Sequence, residues 1–396
     1  MYRQFELSLE QICDVANSFY RAVLNLSDST PSSLQFLPNY ISAKSSQGQE
    51  TIYVLDIGGS NVRASLAHFE NGQLTKIDPA IEASMPWKRG VSFSLDEFLN
   101  IQCELLNRLN RTDVTTLGYC FSYPTKNEPN GDSRLVQWTK GIDIAGTENQ
   151  LMGKLLTDYF SKHYGKTIEQ VNLVNDSVAC LLGGLSKSPV DNYLGLIAGT
   201  GSNLATFFPV EHTLQAVNLE SGNFDPPHLN QFDEMLDQRS DKPGHQLFEK
   251  ASGGMYLAHL FNLAHPEVNL DISQGAAGLS ALFNSKLTHK IHKQCIARIY
   301  TRAANLIAAK LAGMIKYHWI QNRSRTFRIT AEGGLFWSQL TPDLKFKQLI
   351  EVQVRCILKN LSIEPCSFEI CKIENANLIG AAYATRNNLK VRNDAR

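Results

Sequence analysis

Several signatures are missing from this chain of 396 residues, and each absence removes a class of function. Charge of one sign is not in excess: 38 Lys and Arg balance 38 Asp and Glu, so no net field favours nucleic acid or an anionic membrane. Any anionic ligand has to be held by local geometry. Neither a Cys-x-x-Cys pair nor a Cys/His ligand spacing occurs among Cys13, Cys103, Cys120, Cys180, Cys295, Cys356, Cys366 and Cys371, which read as reduced thiols. No stretch reaches the roughly 18 apolar residues of a spanning helix. The opening MYRQFELSLEQICDVANSFY breaks its apolar positions with Glu6, Glu10 and Asp14, so it lacks a signal-peptide core. A soluble, cytoplasmic protein is expected. Neither a P-loop nor a dinucleotide G-x-G-x-x-G in a strand-to-helix context is present, and there is no short repeat or low-complexity tract. The length allows two domains or one bilobed unit.

What is present is an alternation of strands and helices, the mark of an α/β architecture. Polar connectors SDSTPSSLQ (27–35) and SAKSSQGQE (42–50) follow an N-terminal helical stretch. TIYVLDI, VRASLAHF and QLTKI predict three consecutive antiparallel strands, the last two joined at Asn71-Gly72. Ser94 and Glu97 have capping-box spacing before a helix from about 95, and Thr147 and Gln150 repeat it before one from about 148. TTLGYCFS (115–122), VNLVND (171–176), YLGLIAGTGSN (193–203), TFRIT (326–330) and SFEICKI (367–373) read as further strands. PGHQLFEKASGGMYLAHLFNLA is helical, and residues 297–320 form a long helix apolar on most faces.

Two strands end in acid or glycine in the same way. VLDIGGSNVR leads into Gly58, Gly59, Ser60 and Asn61, and GLIAGTGSN into Thr200, Gly201, Ser202 and Asn203. A third turn, AEGGLFW, contains Gly333 and Gly334. Glycine permits positive φ and bares backbone N–H groups that can meet phosphate oxygens. One such turn is an ordinary hairpin; three together suggest a nucleoside triphosphate gripped between lobes.

In order and spacing, FLPNYI, LDIGGSNVR, FSYP, WTKGIDIAG, VNDSVACLL, GLIAGTGSN, NLESGNF and PGHQLFEKASGGMYL resemble the eukaryotic-type hexokinases and glucokinases, of the sugar kinase/actin/heat-shock ATPase superfamily, over about residues 35–260. That resemblance implies a two-lobed actin-like ATPase (ribonuclease H-like) fold. Its small domain would comprise residues 50–174 plus about 373–396, and its large domain residues 1–49 plus 175–372. It implies transfer of the γ-phosphoryl group of Mg-ATP to the 6-hydroxyl of a hexose, glucose first. Ser122, Thr139, Lys140, Asn175, Asp176, Asn203, Glu220 and Glu249 would surround the sugar. Asp176 would be the general base or a helix cap or both, and Lys140 the nearest fixed cation. Asp56 would hold Mg²⁺ through water beside Gly58, Gly59, Ser60 and Asn61, with Thr200, Gly201, Ser202, Gly333 and Gly334 on the nucleotide. Arg63 is either a phosphate donor or a structural ion-pair partner. Partners would be a hexose and ATP, without nucleic acid or membrane, in a monomer or homodimer.

The chain departs from the family pattern in three places. AEGGLFW stands where the family has Asp-Gly-Ser, ENANLIGAAYA where a glycine- and serine-rich turn is usual, and Ala258-His259 where Gly-Glu is usual. These leave open a sugar-binding regulator with weak turnover, another donor, or another hexose: mannose, fructose or an N-acetylated hexosamine. Actin-like assembly or chaperone activity would leave FSYP and WTKG without a purpose.

Overall fold

A computed structural model describes residues 2–27, 32–43, 47–58, 61–86, 93–138, 143–210 and 213–388. The chain begins with helix α1 (Leu9–Ser27) and strand β1 (Leu37–Ser42). Strands β2 (Glu50–Ile57), β3 (Asn61–Glu70) and β4 (Gln73–Ile77) are antiparallel as expected, and Asn71 and Gly72 turn at positive φ. Strand β5 (Ile81–Ser84) pairs with β3. Helix α2 (Leu95–Arg108) opens on the Ser94/Glu97 capping box: the Glu97 N–H donates to Ser94 Oγ at 3.2 Å and the Ser94 N–H to Glu97 Oε2 at 2.9 Å. Then come β6 (Thr116–Phe121), the short pair β7 (Thr125–Asn127) and β8 (Ser133–Leu135), helix α3 (Met152–Tyr164) and β9 (Gln170–Val174).

Helix α3 corrects the sequence expectation. It starts at Met152 rather than near 148, and Thr147 is not its cap. The Thr147 hydroxyl donates to the Ile144 carbonyl at 2.6 Å and accepts from Trp138 Nε1 at 2.7 Å. The capping oxygens come from the buried Asp132, whose carboxylate accepts the N–H groups of Gly153 and Lys154, both at 2.8 Å. Helix ends need acceptors for their first N–H groups, and a carboxylate from another segment serves as well as a local one.

The second half contains α4 (Asp176–Gly183), β10 (Asn192–Ala198), β11 (Ser202–Val210), β12 (Thr213–Asn218), α5 (Gln231–Gln238), α6 (Leu247–Ser252), α7 (Gly254–Ala264), α8 (Gly275–Asn284), α9 (Lys290–Gln321), β13 (Thr326–Glu332), β14 (Gln339–Thr341), β15 (Leu344–Lys345), α10 (Phe346–Asn360), β16 (Ser367–Cys371) and α11 (Ala376–Arg386). The stretch with helical periodicity around residues 243–264 forms two helices, α6 and α7, with Gly253 extended between them.

Two large sheets repeat one plan. The first has the order β4-β3-β2-β6-β9, the second β12-β11-β10-β13-β16 with β1 added beyond β12. In each, three hairpin-linked antiparallel strands are followed by two parallel ones. Helices α4 and α11 lie between the sheets, sharing one apolar cluster with Ile52, Val54 and Cys120 of the first and Ala205, Phe207 and Ala216 of the second. Glycine makes this layer possible: a Cβ on Gly118 would overlap the Ala381 carbonyl, and one on Gly380 the Ala179 carbonyl. Helices α2 and α3 cover the outer face of the first sheet. Helix α9 is buried along most of its length against α1 and α10 beyond the second, as its apolar faces require. All eight cysteines are free thiols, and no described helix is long and apolar enough to cross a membrane.

Candidate active site

The carboxyl ends of the strands bring most of the expected residues together. Strand β9 is apolar up to Val174 and then delivers Asn175 and Asp176. Asn175 is the cap of α4: its Oδ1 accepts the Ser177 N–H at 2.9 Å and the Ser177 hydroxyl at 2.8 Å. Asp176 therefore is not the cap. It occupies the first helical position, where the helix dipole favours a carboxylate. Ser122 follows β6, its N–H donating to the Ile57 carbonyl at 3.2 Å and so aligning the ends of β6 and β2.

The second sheet contributes an amide network. Asn203 Nδ2 donates to Asn218 Oδ1 at 2.9 Å and reaches Ser177 Oγ at 3.3 Å, while Asn218 Nδ2 donates to Glu220 Oε1 at 2.7 Å. Asn203 Oδ1 takes the N–H groups of Leu204 and Ser221, so both ends of this carboxamide are fixed. Glu220 sits in the left-handed region at φ +42°. Burial pushes its carboxyl up, Asn218 opposes this, and the negative charges of Asp176 and Glu249 add to the rise. Glu249 on α6 accepts the Ser202 N–H at 2.9 Å. Glu220 thus lies in the field of two other carboxylates, Asp176 and Glu249.

Lys310 was not anticipated. It is fully buried in α9, donating to Ser202 Oγ at 2.7 Å and Ser221 Oγ at 3.2 Å, 4.6 Å from the Phe248 ring centroid. Burial drives its pKa down from 10.5 to about 7, against the pull of Glu249. Its signal was a lone cation inside NLIAAKLAGMI, otherwise apolar except for Asn305.

At the first glycine turn, Gly58 N–H donates to the Asn61 carbonyl at 3.1 Å. Asp56 is buried at the end of β2 and pairs with Arg63 across the hairpin at 2.5 Å. Arg63 thus makes the structural ion pair, one of the two roles open to it. Its other Nη donates to Asn375 Oδ1 at 3.2 Å, and Asn377 Nδ2 reaches Asp56 Oδ1 at 3.3 Å. The asparagines of ENANLIG, which depart from the family pattern, therefore tie the start of α11 to this turn. Glu332 at the end of β13 is pushed up by burial, with Lys372 and Arg63 opposing and Asp56 adding. The buried Cys120 links the two groups: burial raises its thiol, and Asp56 and Asp176 both raise it further.

The remaining turns abut. Gly333, at φ +115°, lies against the Ala198 carbonyl and the Gly199 N–H, where a Cβ has no room, and Gly334 faces open space. Gly199 and Thr200 accept the Gly254 and Met255 N–H groups at 2.9 and 3.0 Å, and Gly201 packs on the Glu249 carboxylate. Gly59, Ser60, Thr139 and Lys140 lie outside the described residues.

Two family models described as Hexokinase match the chain, one over residues 1–185 and the other over residues 193–269 and 269–386. The chain belongs to the hexokinase family. Among curated hexokinases, hexokinase-1 of Saccharomyces cerevisiae is 31% identical over 242 residues, 54% of this chain and 49% of that protein. Hexokinase-3 of Mus musculus is 30% identical over 274 residues, 65% of this chain and 29% of that protein. The chain thus spans about half or less of the length of these relatives. A solved hexokinase of Schistosoma mansoni, complexed with glucose, superposes over 97% of both chains with a TM-score of 0.78 at 22% identity. The hexokinase fold, two-lobed and actin-like, is therefore the fold of this chain.

Proposed function

We propose that this hexokinase-family chain transfers the γ-phosphoryl group of ATP to the 6-hydroxyl of a hexose, with glucose the leading substrate. The supporting observation is that Glu220 lies 3.5 Å from the Asn203 carboxamide and in the field of Asp176 and Glu249. Ionised carboxylates are acceptors only, and an uncharged polyol supplies the hydroxyl donors that such a cluster needs. A sugar lacking a matched hydroxyl would leave one of these groups unpaired and be rejected.

Asp176 would accept the proton of the attacking hydroxyl, and Lys140 would offset charge on the transferring group. The glycine turns at 58–61, 199–201 and 333–334 would receive the nucleotide. The metal partner of ATP would be held, through water, by Asp56, with Glu332 as a second carboxylate beside it. Both are buried or half-buried oxygen donors, the kind Mg²⁺ takes. When bound, it would supply positive charge that offsets the negative charge developing on the transferring group. We also propose the lobe boundaries stated above, with closure on the sugar excluding water as a competing acceptor.

A second reading is favoured by the Asp56 pairing. Arg63 and Asn377 already engage Asp56, as a sugar-binding regulator with weak donor chemistry would allow. An ADP-release assay with glucose, Mg²⁺ and ATP separates the two. Turnover that falls by about 10² to 10⁴ in Asp176→Ala at matched folding supports the kinase. No turnover in the parent protein, with glucose still raising Tm, supports the binder. A panel of mannose, fructose and N-acetylated hexosamines ranks the substrates.

A further inference from the structure

Away from the glycine turns, three metal-binding side chains converge where nothing in the proposed reaction uses them. His265 ends α7, Glu267 lies two residues on, and His292 is in the first turn of α9. His265 Nδ1 is 2.8 Å and His292 Nε2 3.3 Å from the same oxygen, Glu267 Oε1. One ligating atom from each residue lies within 4.8 Å of the others.

The two imidazoles are held before any ion arrives. Their ring centroids are 4.5 Å apart, and Phe261 packs against both, at 5.2 Å from His265 and 6.0 Å from His292. His265 is 3% exposed, its N–H donates to the Phe261 carbonyl at 2.8 Å, and its own carbonyl takes the Val268 N–H at 3.1 Å. That last bond closes the turn that carries Glu267. Ordering entropy, which weakens most surface sites, is therefore largely spared here.

We infer that His265, Glu267 and His292 form a site for a late first-row divalent cation of the Zn²⁺ type, stapling the end of α7 to the start of α9. Two imidazole nitrogens and one carboxylate oxygen suit Zn²⁺ and its neighbours and disfavour the all-oxygen ions Mg²⁺ and Ca²⁺. Tetrahedral ligation at about 2.0–2.2 Å needs ligand atoms about 3.3–3.6 Å apart, so the 3.3 Å contact already fits and the 2.8 Å hydrogen bond has to open by about 0.5–0.8 Å. The Glu267 side chain is 61% exposed, so the fourth position faces solvent. Water can fill it, or His289, whose ring lies 5.8 Å from that of His292.

The staple would bear on the candidate site through α7. That helix rises roughly 1.5 Å per residue, and its far end donates the Gly254 and Met255 N–H groups to the turn at Gly199 and Thr200. Anchoring one end steadies the other.

The test uses the full chain, stripped with a chelator and dialysed. Zn²⁺ is titrated in competition with a chromophoric chelator, and Co²⁺ is followed by its visible d–d absorption. The expected result is one tight equivalent, Co²⁺ bands of a four- or five-coordinate site, and a Tm raised by Zn²⁺. Glu267→Gln and His292→Gln, at partly exposed positions, should retain the parent circular dichroism and lose the site. Loss of an outer-shell partner alone weakens metal binding by about 10- to 100-fold, so loss of a ligand should exceed that. Absence of a stoichiometric site in the parent overturns the inference. So does binding of equal affinity in both variants, which would assign the ion to thiols such as the exposed Cys356. The His265–Glu267–His292 cluster would then be a hydrogen-bonded knot only.

Discussion

Replacing Lys310 by Met should change how stability depends on pH, and the size of the change can be worked from its surroundings. Folding carries this amine into a site where its pKa is about 7 instead of 10.5. Between those values the unfolded chain binds the proton and the folded chain does not, so raising pH stabilises the folded state. Below pH 7 both states are charged, and the folded state bears the whole penalty, of order 5 kcal/mol for a shift of this size at about 1.4 kcal/mol per unit. Met removes that penalty but leaves the Ser202 and Ser221 hydroxyls without their donor, a loss of about 1 kcal/mol or somewhat more for each. Lys310→Met should therefore be more stable than the parent by about 2–3 kcal/mol at pH 6. By pH 9 the parent has recovered about 3 kcal/mol and the two should be nearly equal. Urea unfolding of both proteins at pH 6, 7.5 and 9 gives the difference directly, and other titrations common to the two cancel. A difference that stays constant across that range would refute a neutral buried amine at Lys310. Because Lys310 holds the serines flanking Asn203 and Glu220, the same variant should raise KM for the sugar more than it lowers kcat.

Three further changes test other parts of the molecule. Glu220→Gln should stabilise the sugar-free protein at neutral pH: its folded pKa is raised by burial and by Asp176 and Glu249, so the ionised form is disfavoured above the unfolded pKa. That gain should vanish in acid, and KM for glucose should rise; equal stabilisation at pH 4 and pH 7 would contradict the assignment. Asp132→Ala orphans the N–H groups of Gly153 and Lys154 and should lower stability by about 2–3 kcal/mol in urea unfolding. Gly380→Ala forces a methyl onto the Ala179 carbonyl between α11 and α4, which should lower stability by about 1–3 kcal/mol in the same measurement, and an unchanged Tm would show that the layer can part freely.

Much of the fold was legible because its signals are local. The β2-β3-β4 run followed from alternation and Asn71-Gly72, and the Ser94/Glu97 box opened α2 where its spacing said it would. Repetition of an apolar strand ending in acid or glycine marked both sheets. The same local logic failed at Thr147, where an equally good spacing carries no cap because Asp132 reached Gly153 and Lys154 first.

The sequence by itself determined which strands end in carboxylates and glycines, since strand propensity, turn geometry and capping act over a few residues. Only tertiary structure decided what those ends meet. Asn375 and Asn377 answer Arg63 and Asp56 from more than 300 positions away. Lys310, a surface residue by type, is buried because the helix that carries it runs under Ser202, at the start of β11, and Ser221, in the turn that follows β12. Neither pairing leaves a trace in local spacing: a buried polar group needs a partner, but any nearby segment can supply it, and only the packing of the sheets chooses which.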